Sequence, residues 1–230
     1  MEGIKATLLL EPTGRNTAPA LTLAALYASV SVIDKELDPI LVITPADQTI
    51  QNTGAFTKAL QNCISVVAGD ANNKTIAILG ITPTAPETGY GYIRRADSKG
   101  SFAEYTVEQF AEKPNLEKAQ AYLEDGNYYW NGGMFVLRAS TWLTALKEFR
   151  PDILIATQKA WDQKTEDLAD GSTFVRPDTA LFSGIPSESI DSAVIEKCPG
   201  SQYKVKMVEL GAGWNDLGAW DAVWQVGNKD

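Results

Sequence analysis

The sequence predicts an α/β fold in which a mostly parallel sheet is flanked by helices. Short, continuously apolar runs recur without polar alternation, as in strands buried on both faces, and stretches of helical length with one apolar face separate them. From residue 6 to residue 81 the order is strand, helix, strand, helix, strand, the pattern of a doubly wound sheet.

Ala6 to Leu10 is the first apolar run, and Glu11-Pro12-Thr13-Gly14 reads as the turn that ends it. Asn16-Thr17 caps a helix from Ala18 to Val32, with Pro19 tolerated in its first turn. Pro39 to Ile43 is the next strand. A second helix spans Thr53 to Ala68, where Phe56, Leu60, Cys63, Ile64 and Val67 share one face, so Cys63 is expected in the core. Thr75 to Ile81 reads as a strand. After Pro83 the texture changes to glycine-punctuated strands such as Tyr92 to Arg95 and Phe102 to Phe110. A helix from Asn115 to Asp125 and a strand over Met134 to Leu137 follow, then helices over Ser140 to Phe149 and Pro151 to Lys164, divided at Arg150-Pro151. Thr165 to Ser187 is rich in charge, proline and glycine. A helix over Ser189 to Lys197, a strand over Tyr203 to Leu210 and a last helix from Gly218 complete the pattern. No repeat or linker divides the chain, so residues 1–230 are read as a single domain.

Composition narrows the chemistry. The 20 Lys and Arg against 29 Asp and Glu give a net charge of -9, which offers no basic surface for nucleic acid. A nucleotide can still be held locally by backbone N–H groups, a few cations and a metal ion. With no histidine, the commonest general base and every His-ligated metal site are excluded, so a metal must be held by oxygen. Cys63 and Cys198 form no C-x-x-C pair and suggest no disulfide framework, which makes the cytoplasm the expected compartment. No apolar run is long enough to predict a membrane span.

Ligands of open α/β sheets bind beyond the carboxyl ends of the strands, so those loops hold the candidates. The P-loop pattern is missing, and Gly211 to Asp216 breaks the dinucleotide fingerprint at its last position. Asp47, just after a buried strand, can accept Mg²⁺ or simply cap a turn. Asp216, in an aromatic and glycine-rich turn, can be its partner or the cap of a helix. Lys113 can act as a point charge on a phosphate and Glu112 can accept sugar hydroxyls, or both can be surface residues. Tyr90-Gly91 allows close backbone approach to a ligand or is an ordinary turn. Tyr128, Tyr129 and Trp130 precede Asn131, and they can wall a sugar pocket or belong to the core.

Taken in order, several blocks share one resemblance: Leu10-Glu11-Pro12-Thr13-Gly14-Arg15-Asn16-Thr17-Ala18-Pro19-Ala20, Pro45-Ala46-Asp47, Pro86-Glu87-Thr88-Gly89-Tyr90-Gly91-Tyr92-Ile93, Phe110-Ala111-Glu112-Lys113-Pro114, Trp130-Asn131-Gly132-Gly133-Met134-Phe135, Ser189-Ile190-Asp191 and Gly213-Trp214-Asn215-Asp216-Leu217-Gly218-Ala219-Trp220. Together they resemble the bacterial mannose-1-phosphate guanylyltransferases, from about Leu8 to Trp224. The resemblance implies a Rossmann-like, GT-A-like nucleotidyltransferase fold. It also implies a reaction that joins mannose 1-phosphate to GTP, giving GDP-mannose and pyrophosphate. The sugar phosphate would be the nucleophile, so no general base is required.

By the same resemblance, Asp47 and Asp216 would hold Mg²⁺ and Lys113 the phosphate of the sugar. Glu112, Asn131 and the Tyr90-Gly91 backbone would meet the mannose, and Glu11, Arg15, Asn16 and Thr17 would read or support the guanine pocket. Gln48 stands where that family usually has His, and Gly132 where it usually has Ser. Relatives open with a strand and a Gly-rich, Arg-containing loop that grips the triphosphate, and no such segment precedes Met1. The expectation is therefore a partial, N-terminally truncated domain whose activity alone is reduced. Its open sheet edge would lead it to rearrange, form a homodimer or be marginally stable. Another sugar-1-phosphate nucleotidyltransferase, or a non-catalytic sugar-nucleotide-binding subunit, stays open as an alternative.

Overall fold

Local side-chain chemistry decides where most helices begin. Asn16, Asn52, Asn115, Asp178 and Ser189 each sit at an N-cap and accept a hydrogen bond from a backbone N–H of the turn that follows, the preferred use of such short polar groups. The computed structural model describes residues 5–32, 34 and 37–216. Along the chain these form β1 (Thr7–Leu9), α1 (Thr17–Ser31), β2 (Ile40–Ile43), β3 (Thr49–Ile50), α2 (Thr53–Ala68), β4 (Thr75–Ile81), β5 (Tyr92–Lys99), β6 (Glu104–Ala111), α3 (Leu116–Asp125) and β7 (Tyr128–Arg138). They continue with α4 (Ala139–Phe149), α5 (Pro151–Asp162), β8 (Thr165–Ala169), β9 (Ser172–Arg176), α6 (Thr179–Ser183), α7 (Ile190–Ala193), β10 (Lys204–Glu209) and β11 (Trp214–Asn215). The helix expected from Gly218 lies outside the described residues.

Two compact units emerge. Described residues within Met1–Pro39 and Arg138–Lys197 form the first, and those within Ile40–Leu137 and Cys198–Asp230 form the second. In the first, α1, α4 and α5 pack on one another. The indole of fully buried Trp142 donates to Thr22 Oγ1 at 3.0 Å, so neither polar atom is left unsatisfied in the core. A three-stranded sheet has the order β1-β9-β8, with β1 parallel to β9. Here the structure corrects an expectation, because β1 joins this small sheet rather than the same sheet as β2 and β4. Its partner, β9, arises in the charged tract from Thr165, where β8 is exposed along its whole length and carries no apolar alternation to announce a strand.

The second unit is built on a six-stranded sheet of order β2-β7-β4-β10-β6-β5, with β5 also pairing with β7. β4 is buried at every residue, which is why its sequence is a continuous apolar run. It runs parallel to β10 and antiparallel to β7, while β6 is antiparallel to both β5 and β10. The sheet is mixed, and parallel pairs make up a smaller share than the apolar runs predict, because the glycine-punctuated segments after Pro83 return as antiparallel neighbours. Helix α2 covers one face, with Cys63 fully buried among Val67, Ala77, Leu79, Tyr92 and Trp130 in one apolar cluster. Burial pushes the Cys63 thiol up to about 12, so it is a packing group and not a nucleophile.

β7 starts six residues earlier than expected and takes in Tyr128 to Gly133, so Tyr128, Tyr129 and Trp130 are buried strand residues. Its pairing with β4 is interrupted. Ile78 faces Phe135, but Gly80 faces Asn131, so Gly132, Gly133 and Met134 share the space opposite Leu79. This is a β-bulge, and Gly133 takes a φ of 67° within it. The strands β3 and β11 form a separate antiparallel ribbon, with Trp214 opposite Ile50 and Asn215 opposite Thr49.

Candidate functional site

Seven of the predicted residues lie in the second unit, and its loops bring six of them, Tyr90, Gly91, Glu112, Lys113, Asn131 and Asp216, together. The backbone of Tyr90-Gly91 is their hub. The Tyr90 carbonyl accepts from Lys113 N at 3.2 Å, and the Gly91 carbonyl accepts from Asn131 N at 2.8 Å. Gly91 is needed for closeness. A Cβ there would lie 2.8 Å from Glu112 Oε2, 3.1 Å from Phe110 Cζ and 3.4 Å from Asn131 Cβ. Glu112, Gly91 and Asn131 thus meet across three strands, β6, β5 and β7, whose order no spacing in the sequence states.

Lys113 adopts a φ of 43°, a costly conformation for a residue with a side chain, and its head is 65% exposed with Nζ 3.5 Å from Glu112 Oε1. The side chain is therefore aimed from a constrained backbone into open solvent. Asn131 Oδ1 accepts from Gly133 N at 2.9 Å, which orients its amide across the bulge. Gly132 is tightly seated, since a Cβ would come within 3.0 Å of the Leu79 carbonyl oxygen and 3.2 Å of Met134 Cε.

Asp47 lies four residues beyond β2 and is exposed, whereas Asp216 follows β11 and is half-buried. The ribbon ends at the pair Asn215 and Thr49; Asp216 follows Asn215 directly, and Asp47 stands in a bend two residues before Thr49. Tyr90 links this corner to the hub. Its ring meets Trp130 edge-on at 5.1 Å and Trp214 at 5.6 Å, and its hydroxyl bonds the Asp216 carboxylate. Burial and that carboxylate together hold the Tyr90 hydroxyl well above the usual phenol range, so it stays a proton donor. Among the described residues no cluster of three or more His, Cys, Asp or Glu exists that could hold a metal by itself. Two carboxylates completed by ligand oxygens and water fit a hard, reluctantly dehydrated cation such as Mg²⁺.

Two residues of this corner stand outside the predicted set. Gln48 Nε2 donates to the Gly132 carbonyl at 3.1 Å, and its Oε1 accepts from Trp214 Nε1 at 2.9 Å. Nothing in the sequence around Gln48 signals that an amide there would meet β7 and β11.

The other four predicted residues belong to the first unit. Asn16 Oδ1 caps α1 through Thr17 N at 2.8 Å, with the Asn16 backbone at a φ of 65°. Thr17 Oγ1 accepts from Ile190 N at 2.9 Å, and Arg15 donates to the Ser183 carbonyl. These three side chains hold backbone. Glu11 is exposed, and nearby protein still thins the hydration of its carboxyl enough to raise it above the usual carboxylate range.

Residues 2–230 match the profile described as nucleotidyl transferase. The chain belongs to the nucleotidyl transferase family. Among curated relatives of this nucleotidyl transferase chain, the xanthan biosynthesis protein XanB of Xanthomonas campestris pv. campestris strain B100 is 44% identical over 99% of the chain. The mannose-1-phosphate guanylyltransferase of Escherichia coli K12 is 42% identical over 95% of it. The chain spans less than half the length of each, 45% and 44% respectively. A crystal structure described as mannose-6-phosphate isomerase from Helicobacter pylori superposes with a TM-score of 0.78 at 30% identity, covering 92% of this chain and 75% of that one. A shared fold under differing names leaves the reaction to be argued from side chains.

Proposed function

We propose that this nucleotidyl transferase chain joins mannose 1-phosphate to the guanylyl group of GTP, giving GDP-mannose and pyrophosphate, with residues 1–230 acting within one nucleotidyltransferase domain. The observation that carries the reading is the hub at Gly91, where Glu112, Lys113 and Asn131 converge and Tyr90 leads to Asp216. Identity to a mannose-1-phosphate guanylyltransferase over nearly the whole chain supports it.

In the reaction, an oxygen of the sugar phosphate attacks the α-phosphorus of GTP, that P–O bond forms, and the bond to the departing pyrophosphate breaks in line. No proton need leave the nucleophile, which suits a chain with no histidine. Lys113 would hold the sugar phosphate as a point charge, and Glu112 with Asn131 would accept and donate to mannose hydroxyls. Gly91 leaves the room that brings ring and backbone into contact. Asp47 and Asp216 would hold Mg²⁺, with the Tyr90 hydroxyl orienting Asp216. When bound, Mg²⁺ supplies charge neutralisation for the phosphates. In the first unit, Glu11 is the reader proposed for guanine, and Arg15, Asn16 and Thr17 support its loop.

Pyrophosphate release measured with GTP, ATP, UTP and dTTP against mannose 1-phosphate and glucose 1-phosphate tests this. GTP with mannose 1-phosphate should exceed every other pair by about tenfold or more, the scale of losing a matched polar contact. Preference for another pair would reassign the substrates. Background release throughout, with GDP-mannose still bound in calorimetry, would make the chain a sugar-nucleotide-binding subunit.

A further inference from the structure

The bulge in β7 creates a problem that Gln48 solves. Opposite Leu79 the strand carries Gly132, Gly133 and Met134 where one residue would continue the ladder, so the regular β4–β7 pairing is broken there. The Gly132 carbonyl in that break takes the Gln48 Nε2 donor at 3.1 Å. The other end of the same amide accepts the indole N–H of Trp214 at 2.9 Å. Turning the amide over would set two donors against each other at Trp214 and two acceptors at Gly132, so only one orientation satisfies both partners. Both bonds are part-buried, where a displaced partner leaves a polar atom poorly solvated. Gly133, at a φ of 67°, lies alongside this arrangement, where a Cβ would make ordinary 3.6 Å contacts with Gln48 Nε2 and Pro45 Cγ.

The three segments joined through Gln48 are those that carry site residues. Asp47 is its neighbour in the chain, Asn131 precedes the bonded Gly132, and Asp216 is two residues beyond Trp214. The last ribbon pair, Asn215 with Thr49, is followed in one chain segment by Asp216 and preceded in the other by Gln48. We propose that Gln48 is a positioning residue that fixes the separation of the Asp47 and Asp216 carboxylates and so sets divalent-cation affinity. This rests on the reading above that these two carboxylates hold the cation. Both polar ends of the Gln48 amide are taken by protein groups. Its effect passes through the two backbone segments that it ties.

Mn²⁺, used alone as the probe and followed by its electron paramagnetic resonance signal, gives a readout independent of turnover. Gln48→Met keeps the length of the side chain and removes both hydrogen bonds. It should weaken Mn²⁺ binding about tenfold, the lower end of what losing an outer-shell partner costs a metal site. Trp214→Phe retains ring packing against Tyr90 and removes only the indole donor, so it should weaken Mn²⁺ binding in the same direction. The double variant should bind no worse than the poorer single one, because both disable the same tie. Normal Mn²⁺ affinity in Gln48→Met and Trp214→Phe, with only a lower melting temperature, would overturn the proposal and leave Gln48 a packing residue. Asp47→Asn and Asp216→Asn separate the two levels. If they weaken Mn²⁺ binding while the Gln48 and Trp214 variants do not, the positioning role alone fails. If they too leave it unchanged, the carboxylate-pair reading fails and this proposal with it.

Discussion

Two loops, one in each unit, hold a non-glycine residue at positive φ beside predicted ligand-binding side chains: Asn16 at 65° after β1 and Lys113 at 43° after β6. Both conformations cost of order 1–3 kcal/mol and persist only where surrounding contacts impose them. What the side chains then do differs. Asn16 turns its amide onto the first turn of its own helix, and its neighbours Arg15 and Thr17 likewise bind backbone at Ser183 and Ile190. Lys113 donates its backbone N–H to Tyr90, and its ammonium stands 65% exposed, 3.5 Å from Glu112 Oε1. A constrained backbone thus serves architecture in the first loop and presents a cation in the second.

Substitution can break this contrast at several points. The largest expected effect is at Asp216, the proposed cation ligand bonded to the Tyr90 hydroxyl. Asp216→Asn should lower turnover by about two to three orders of magnitude, the several kcal/mol that charge neutralisation contributes. Its melting temperature should stay close to that of the parent, and a folded variant with unchanged turnover would remove Asp216 from the site. Lys113→Gly is the sharper probe, because strain and function should part company. Glycine accepts the positive φ, so thermal stability should rise by about 1 kcal/mol, while turnover with mannose 1-phosphate drops by about a hundredfold. A destabilised Lys113→Gly variant would show that the side chain holds the loop in place. In the other loop, Asn16→Ala should cost about 1–2 kcal/mol in denaturant unfolding, and Asn16→Gly should recover part of it by accepting the backbone angle.

The smallest expected effect concerns a carboxylate that serves as structure. Burial alone would push Asp70 up, but bonds from Lys74 N, Thr75 Oγ1 and Asn72 N outweigh it and hold the carboxyl below its ordinary value. A group depressed in the folded state contributes stability above its unfolded pKa, and that contribution is lost as pH falls through the folded value. Asp70→Asn should therefore lower the melting temperature at pH 7 by a few degrees without changing turnover. The gap from the parent should close as pH falls below about 4. A gap that stayed constant with pH would mean that the ionised form contributes nothing.

Local pattern made some of this molecule legible and pairing hid the rest. Helix α2 and strand β4 lie where apolar spacing places them, since each has a period strong enough to read from its own residues. The asparagine caps are visible for the same reason. Which strand β1 would join was not visible, because the choice depended on β9, more than 160 residues away in a polar tract. At the candidate site, the residue types and strand-end positions of Asp47, Lys113 and Asp216 pointed to phosphate and cation chemistry. The meeting of Glu112 with Asn131 at Gly91 follows only from strand order. Gln48 stood out in the sequence only as a departure from the family's usual His, which said nothing of its two hydrogen bonds, since such bonds leave no periodicity.

The irregularity in β7 also limits how this strand can change length. Tyr128, Trp130, Met134 and Val136 all point into the cluster beneath α2, so the extra pair of residues keeps odd and even positions on the same faces before and after it. Deleting one glycine from Gly132-Gly133 would exchange inside for outside along half the strand, whereas losing two together would not. Indels in this segment should therefore be tolerated only in steps of two, a parity rule that a deletion library would expose.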